Sequence, residues 1–134
     1  MKYNSPSKYY HLEIPDNWTI EEKENTTSLY DEKNGYGAIN ITSYEIPSNY
    51  DFNVRNELIE FIGEDLNISE DGIKINQNNM QRAYIELDNE GSYWQYHTFY
   101  HNCKALFITY NFETPDKESE KQLIDKIIQS VIIN

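Results

Sequence analysis

The stretch SYWQYHTFYHNCKALFITYNF, Ser92 to Phe112, decides the fold. It holds two runs of Tyr, Phe, Ile, Thr and Trp, residue types that suit a pleated, half-buried strand. Asn102-Cys103 sits between the runs, where a two-residue hairpin turn belongs. Pairing the runs about that turn places Leu106, Ile108, Tyr110 and Phe112 on one face, together with Phe99 and Tyr93. Phe107, Tyr100, Tyr96 and Trp94 fall on the other, because side chains alternate along a strand. Both faces are apolar or aromatic. An antiparallel sheet with one wet face carries polar residues on that side, so this hairpin predicts a sheet covered on both sides.

The covers are found by working outward. After the hairpin, Thr114-Pro115 opens a helix with proline in its first turn. Asp116 and Glu118 follow where acidic groups suit the helix dipole, and Leu123, Ile124, Ile127, Ile128 and Val131 form an apolar stripe. Before the hairpin, Arg82 to Leu87 reads as a strand and Asp88-Asn89-Glu90-Gly91 as its turn. Ile73 to Ile75 is a shorter strand. From about Asp51, a suitable N-cap, Val54, Leu58, Phe61, Ile62 and Leu66 recur at helical spacing. Asn67 to Gly72 is loop-like. The first third reads as strands: Tyr10, Leu12 and Ile14 alternate, Pro15-Asp16-Asn17 turns, and Trp18 and Thr26 open two more segments. Asn34-Gly35 is a strong hairpin signal, and Tyr36 to Ile46 completes the set. The order of strands, helix, strands, helix with short turns predicts an α+β fold. In detail, it predicts a three-layer α/β/α sandwich whose central antiparallel sheet carries a helix on each face. No repeat or linker interrupts residues 1–134, so one domain is expected.

Composition narrows the function. The 134 residues include 11 Lys and Arg against 23 Asp and Glu, for a net charge of −12. Mean hydropathy is −0.81, yet 12 Tyr, 5 Phe and 2 Trp are far more aromatic residues than a disordered chain carries. Phosphate contacts need Lys and Arg. The few present form no run, so nucleic acid is disfavoured as a partner, as is an anionic membrane surface. The acidity favours a basic protein partner; it also serves solubility. Glu21, Glu22, Glu24, Asp31 and Glu32 cluster on the second hairpin and are the candidate partner-binding residues. The same run equally reads as a solvated edge that deters sheet-to-sheet pairing.

One cysteine, Cys103, makes no internal disulfide. The N-terminus carries no apolar signal core, and no run approaches a membrane span. A cytoplasmic protein is expected. Four Asn-X-Ser/Thr sequons, at Asn17, Asn25, Asn40 and Asn67, are discounted accordingly.

Tyr10-His11-Leu12-Glu13-Ile14-Pro15-Asp16-Asn17-Trp18 resembles the opening strand, Pro turn and Trp of the PsbP-like and DcrB-like superfamily, which includes the Mog-type Ran-binding proteins. The hairpin, Pro115 and the helix ending Ile127-Ile128-Gln129-Ser130-Val131 resemble it too. The resemblance implies the α/β/α sandwich and a non-catalytic role as accessory subunit, chaperone or partner-binding module. The chain departs from the family pattern in having no lipoprotein or secretory leader, and no binding residue carries across.

His97, His101 and Cys103 are the remaining candidates for chemistry. Residues four apart on a strand lie roughly 13 Å apart, so His97 and His101 do not share a metal unless the strand kinks. No second cluster completes a zinc site at Cys103. Asp65 to Ser69 begins like a calcium loop but has Glu70 where glycine is needed and Asn76 in place of the bidentate Glu. No catalytic residue, metal or cofactor is expected. The leading function is a non-catalytic protein-binding module: a chaperone, accessory subunit or immunity-type protein. The alternatives are a small-molecule or sugar-binding domain with an aromatic pocket, and an enzyme using His97 or Cys103.

Overall fold

Asn102 and Cys103 both adopt left-handed backbone, with φ of 52° and 57°. Two such residues match the right-handed twist of a tight hairpin. The computed structural model describes the chain except residues 34–36, 64–68, 78–79, 90–91 and 113–116; of 89 and 117 only the backbone is described. The expected Asn34-Gly35 turn, the calcium-like loop from Asp65, the end of the Asp88 to Gly91 turn and the Thr114-Pro115 helix start therefore lie wholly or partly outside the described residues.

In chain order the elements are β1 (Lys2–Asn4), β2 (Tyr10–Glu13), β3 (Thr19–Lys23), β4 (Thr26–Tyr30), β5 (Ala38–Glu45) and α1 (Val54–Ile62). A 3-10 turn at Glu70–Gly72 follows. Then come β6 (Lys74–Asn76), β7 (Gln81–Asn89), β8 (Ser92–His101), β9 (Lys104–Phe112), α2 (Lys117–Gln129) and β10 (Ile132–Ile133). Seven strands form one sheet in the order β3-β4-β5-β9-β8-β7-β6. All its pairs are antiparallel. Tyr93 faces Phe112 and Phe99 faces Leu106, the register the alternation predicts. Gly37 is required where β5 draws alongside β9. A Cβ there would sit 1.7 Å from the Asn111 carbonyl oxygen.

Three features differ from the sequence reading. The opening strand β2 leaves the large sheet and lies between β1 and β10 in a second, three-stranded sheet. β1 and β10 are three and two residues long, too short to carry a periodic signal. Helix α1 is capped by Asn53, whose side chain accepts from the Asn56 amide at 3.0 Å. Asp51 does not cap it, because Phe52 must first turn into the core, where its ring stacks on Tyr100 at 4.7 Å. Gly63, at φ 78°, ends that helix.

Each face of the large sheet has its own core. On one, α1 packs Val54, Leu58 and Ile62 with Phe52 against Ala83, Ile85, Tyr96 and Ala105. On the other, α2 supplies Ile124, Ile127 and Ile128, and the small sheet supplies Tyr3, Tyr10, Leu12 and Ile133. They meet Leu29, Ile39, Ile41, Phe99, Leu106 and Ile108. Ser130 closes α2: its hydroxyl donates to the Ile127 carbonyl at 2.6 Å and accepts from the Glu13 amide at 2.8 Å, tying the helix end to β2.

Candidate functional site

Of the acidic residues of the second hairpin, Glu21 and Glu22 lie on β3, an edge strand of the large sheet, whereas Asp31 and Glu32 follow β4. Glu21 pairs across from Ser28 and Glu22 from Thr27, so successive carboxylates point to opposite faces. Glu22 accepts from the Tyr3 hydroxyl at 2.7 Å. Glu21 accepts from Tyr30 at 2.7 Å, a bond that holds the Tyr30 phenol protonated beyond its usual range. Glu32 accepts from Thr19 at 3.2 Å. Asp31 is buried, and its carboxylate accepts from the Lys33 amide at 3.1 Å, which fits it to the turn. The five carboxylates therefore do not share one surface: Glu21 and Glu22 alternate across β3 and Asp31 is buried.

Glu24 has a different setting. It occupies the β3–β4 turn with φ 55° and lines a cleft of about 290 Å³ beside the small sheet, with Tyr9, Tyr44 and Glu45. The Tyr9 hydroxyl donates to Glu45 at 3.3 Å. The negative charge of Glu45 raises the Tyr9 pKa. Lys104 Nζ stands 5.6 Å from the Tyr9 ring centroid, a cation–π arrangement. Two carboxylates beside two tyrosine rings suit an ammonium or guanidinium group.

A second polar region, which the sequence reading missed, lies inside the protein between β8 and α2. Gln95 and His97 are almost fully buried. Arg82 Nη2 meets His97 Nδ1 at 3.1 Å. A guanidinium only donates, so Nδ1 is the acceptor and the proton of the neutral ring sits on Nε2. Nε2 then donates to Gln95 Oε1 at 2.9 Å. The Gln95 amide donates in turn to Tyr93 Oη at 2.8 Å and Asp125 at 3.0 Å. Lys121 completes the chain at 3.2 Å from Asp125 and 3.7 Å from Glu86. Burial, reinforced by the Arg82 charge, pushes the His97 pKa well below its ordinary value. The signal was in the sequence: Gln95 and His97 interrupt the apolar face between Tyr93 and Phe99.

The chain does not bring His97, His101 and Cys103 together. Both His97 nitrogens are engaged within the core. His101 is exposed at the end of β8, and Cys103 stands in the turn beside Tyr100. Among the described residues no three His, Cys, Asp or Glu side chains converge as a metal set, and no helix is long and apolar enough to cross a membrane.

These features define an α+β fold of antiparallel sheets and two helices, and it is PsbP-like. The solution structure of cyanobacterial PsbP (CyanoP) from Synechocystis sp. PCC 6803 superposes with a TM-score of 0.76 at 12% identity, covering 100% of this chain and 92% of that one. A crystal structure from Bacteroides thetaiotaomicron VPI-5482 superposes with a TM-score of 0.66 at 16% identity, covering 99% of this chain. The present chain spans 48% of the Bacteroides protein. No family model matches the sequence, and no curated protein matches it.

Proposed function

We propose that the chain is a non-catalytic binding domain that acts through protein–protein contact with a basic partner. The observation that carries this reading is the cleft of Glu24, Glu45, Tyr9 and Tyr44. A partner's Lys or Arg side chain would enter it, meeting the two carboxylates and the exposed Tyr44 ring. The net charge of −12 supports long-range capture of such a partner. The exposed Glu21, Glu22 and Glu32 add to the overall negative field, while Asp31 shapes the turn from within. A chaperone, an accessory subunit and an immunity-type protein all fit this mode, and a cytoplasmic setting goes with it. The fold in its finer form is then a three-layer α/β/α sandwich of the PsbP, DcrB and Mog type, with the small sheet sharing the α2 layer.

The test is kinetic. A partner captured from the cell's own lysate is measured against the wild-type protein and against Glu21, Glu22 and Glu24 changed together to Gln. Charges at the rim of a contact act mainly on association rate, over a Debye length of about 8 Å at physiological salt. The triple variant is expected to associate more slowly at low salt, with a difference that shrinks as salt rises and with the fold intact. An unchanged association rate at low salt removes this end of the molecule from the contact.

A further inference from the structure

Among the described residues no carboxylate lies within ion-pair distance of Arg82. Its guanidinium carbon lies 4.3 Å from the Tyr84 ring centroid and 5.2 Å from that of Phe99. It is held by two aromatic faces and by the single bond to His97. Its Nε is buried and has no acceptor among the described residues. Asp125 and Glu86 act on it only through space. In a chain with 23 acidic residues, a half-buried cation is normally covered by one of them, because an unpaired charge taken out of water is costly. Here Arg82 instead forms part of the wall of an open cleft of about 300 Å³ between β6, β7 and the end of α2.

The rest of that wall sets the ligand. Phe99, Ile128 and Val131 form its floor and are buried in the core, so its accessible rim consists of Met80, Tyr84, Asn76 and Gln129. The volume is at the small end of ligand pockets. One fixed positive charge matches one negative charge. With Nη2 on His97 and Nε buried, the donors left for a carboxylate are those of Nη1. We infer that this cleft binds a carboxylate attached to a compact apolar or aromatic body, with the carboxylate on Arg82 and the body against Met80 and Tyr84. This site is separate from the Glu24 cleft and of opposite charge, and it does not rest on the protein-partner reading. The carboxylate belongs either to a free small acid or to the C-terminus of a peptide.

The experiment follows the Arg82 Nε–H resonance of the ¹⁵N-labelled full chain. 3-Phenylpropionate is expected to shift it saturably, while 3-phenylpropan-1-ol, which lacks the charge, leaves it in place. Arg82→Lys is expected to weaken binding about tenfold, since an ammonium does not reproduce the fixed, planar donors of the guanidinium. Gln129→Glu, an exposed change that leaves Arg82 intact, is expected to weaken binding about fivefold through like-charge repulsion. Ala-Ala-Phe with a free C-terminus, run beside its amide, separates the two sources: tighter binding than 3-phenylpropionate assigns a chain end, weaker binding assigns the free acid. Three results overturn the inference. They are no saturable shift up to about 10 mM, where an affinity near 1 mM would register, an equal shift with the alcohol or with inorganic phosphate, and an unaltered affinity in a folded Gln129→Glu variant.

Discussion

The two faces of the large sheet are built from the same strands and held by different means. On the α1 face, Phe52, Leu58, Ala83, Ile85, Tyr96 and Ala105 meet as surfaces. Stabilisation there is spread over area and shape, and no single contact dominates. On the α2 face, the apolar core stops at β8. From there a directed chain runs through Arg82, His97, Gln95, Asp125 and Lys121. Tyr110 adds a further buried bond to Glu120 from the same helix. Such bonds contribute little net energy when complete but leave a costly orphan when one member goes. The first face therefore tolerates a change of chemistry that preserves volume, whereas the second depends on which atoms donate and accept.

The largest expected effect is on the apolar face. Leu58 is fully buried, and Leu58→Ala should lower stability by about 3 kcal/mol through a cavity that its neighbours only partly fill. Urea unfolding measures this, and a loss below about 1 kcal/mol would show that α1 is loosely seated. Next, Gln95→Met keeps the volume but strands His97 and removes a donor from Asp125. A cost of about 2 kcal/mol is expected. A near-neutral Gln95→Met would erase the distinction between the faces.

The third test is pH. The neutral His97 is favoured in the fold, so its pKa lies below the unfolded value of about 6.5. The unfolded chain then takes up a proton that the folded chain refuses. His97's contribution is fully present above about pH 6.5. It declines by up to about 1.4 kcal/mol per pH unit as pH falls from there toward the folded pKa. Denaturation at pH 7.5 and 5.5 should therefore differ by about 1 kcal/mol, and a flat profile would place His97 in contact with water. The smallest effect has the opposite sign. Thr98 Oγ1 lies buried on the α1 face with no partner among the described residues. Thr98→Val replaces it by a methyl group and should gain up to about 1 kcal/mol. A loss there would reveal a hydrogen bond on the face described as apolar.

The β8–β9 hairpin is legible in the sequence because alternation and turn chemistry act over neighbouring residues. The apolar stripe of α2 is legible for the same reason: Ile124, Ile127 and Ile128 are all buried. What escapes is whatever depends on how elements dock. Nothing local says that Tyr10 to Glu13 pairs with Ile132 and Ile133. Gln95 finds Asp125 30 positions away, on a helix whose rotation against the sheet is set by packing. Glu24 stands out as an acid in a run of acids. Its partnership with Tyr9 and Glu45 comes from the small sheet settling beside β5, and Arg82 is one basic residue among eleven until Tyr84 and Phe99 enclose it.

The seat of β2 also sets an order in time. Glu13 meets Ser130 across 117 positions, whereas the hairpin around Asn102 closes over a few residues. Loop closure costs entropy that grows with the logarithm of separation, and distant pairings slow folding. The β6 to β9 meander therefore assembles early and β1 pairs with β2 across a short turn, while β10 joins β2 last and leaves first, so the amides of that pairing should lead in hydrogen exchange. The cleft of Tyr9, Glu24 and Glu45 takes one of its walls from this late-forming part. A chain that has built its large sheet but not its small one has the charge to attract the proposed partner and no cleft to hold it.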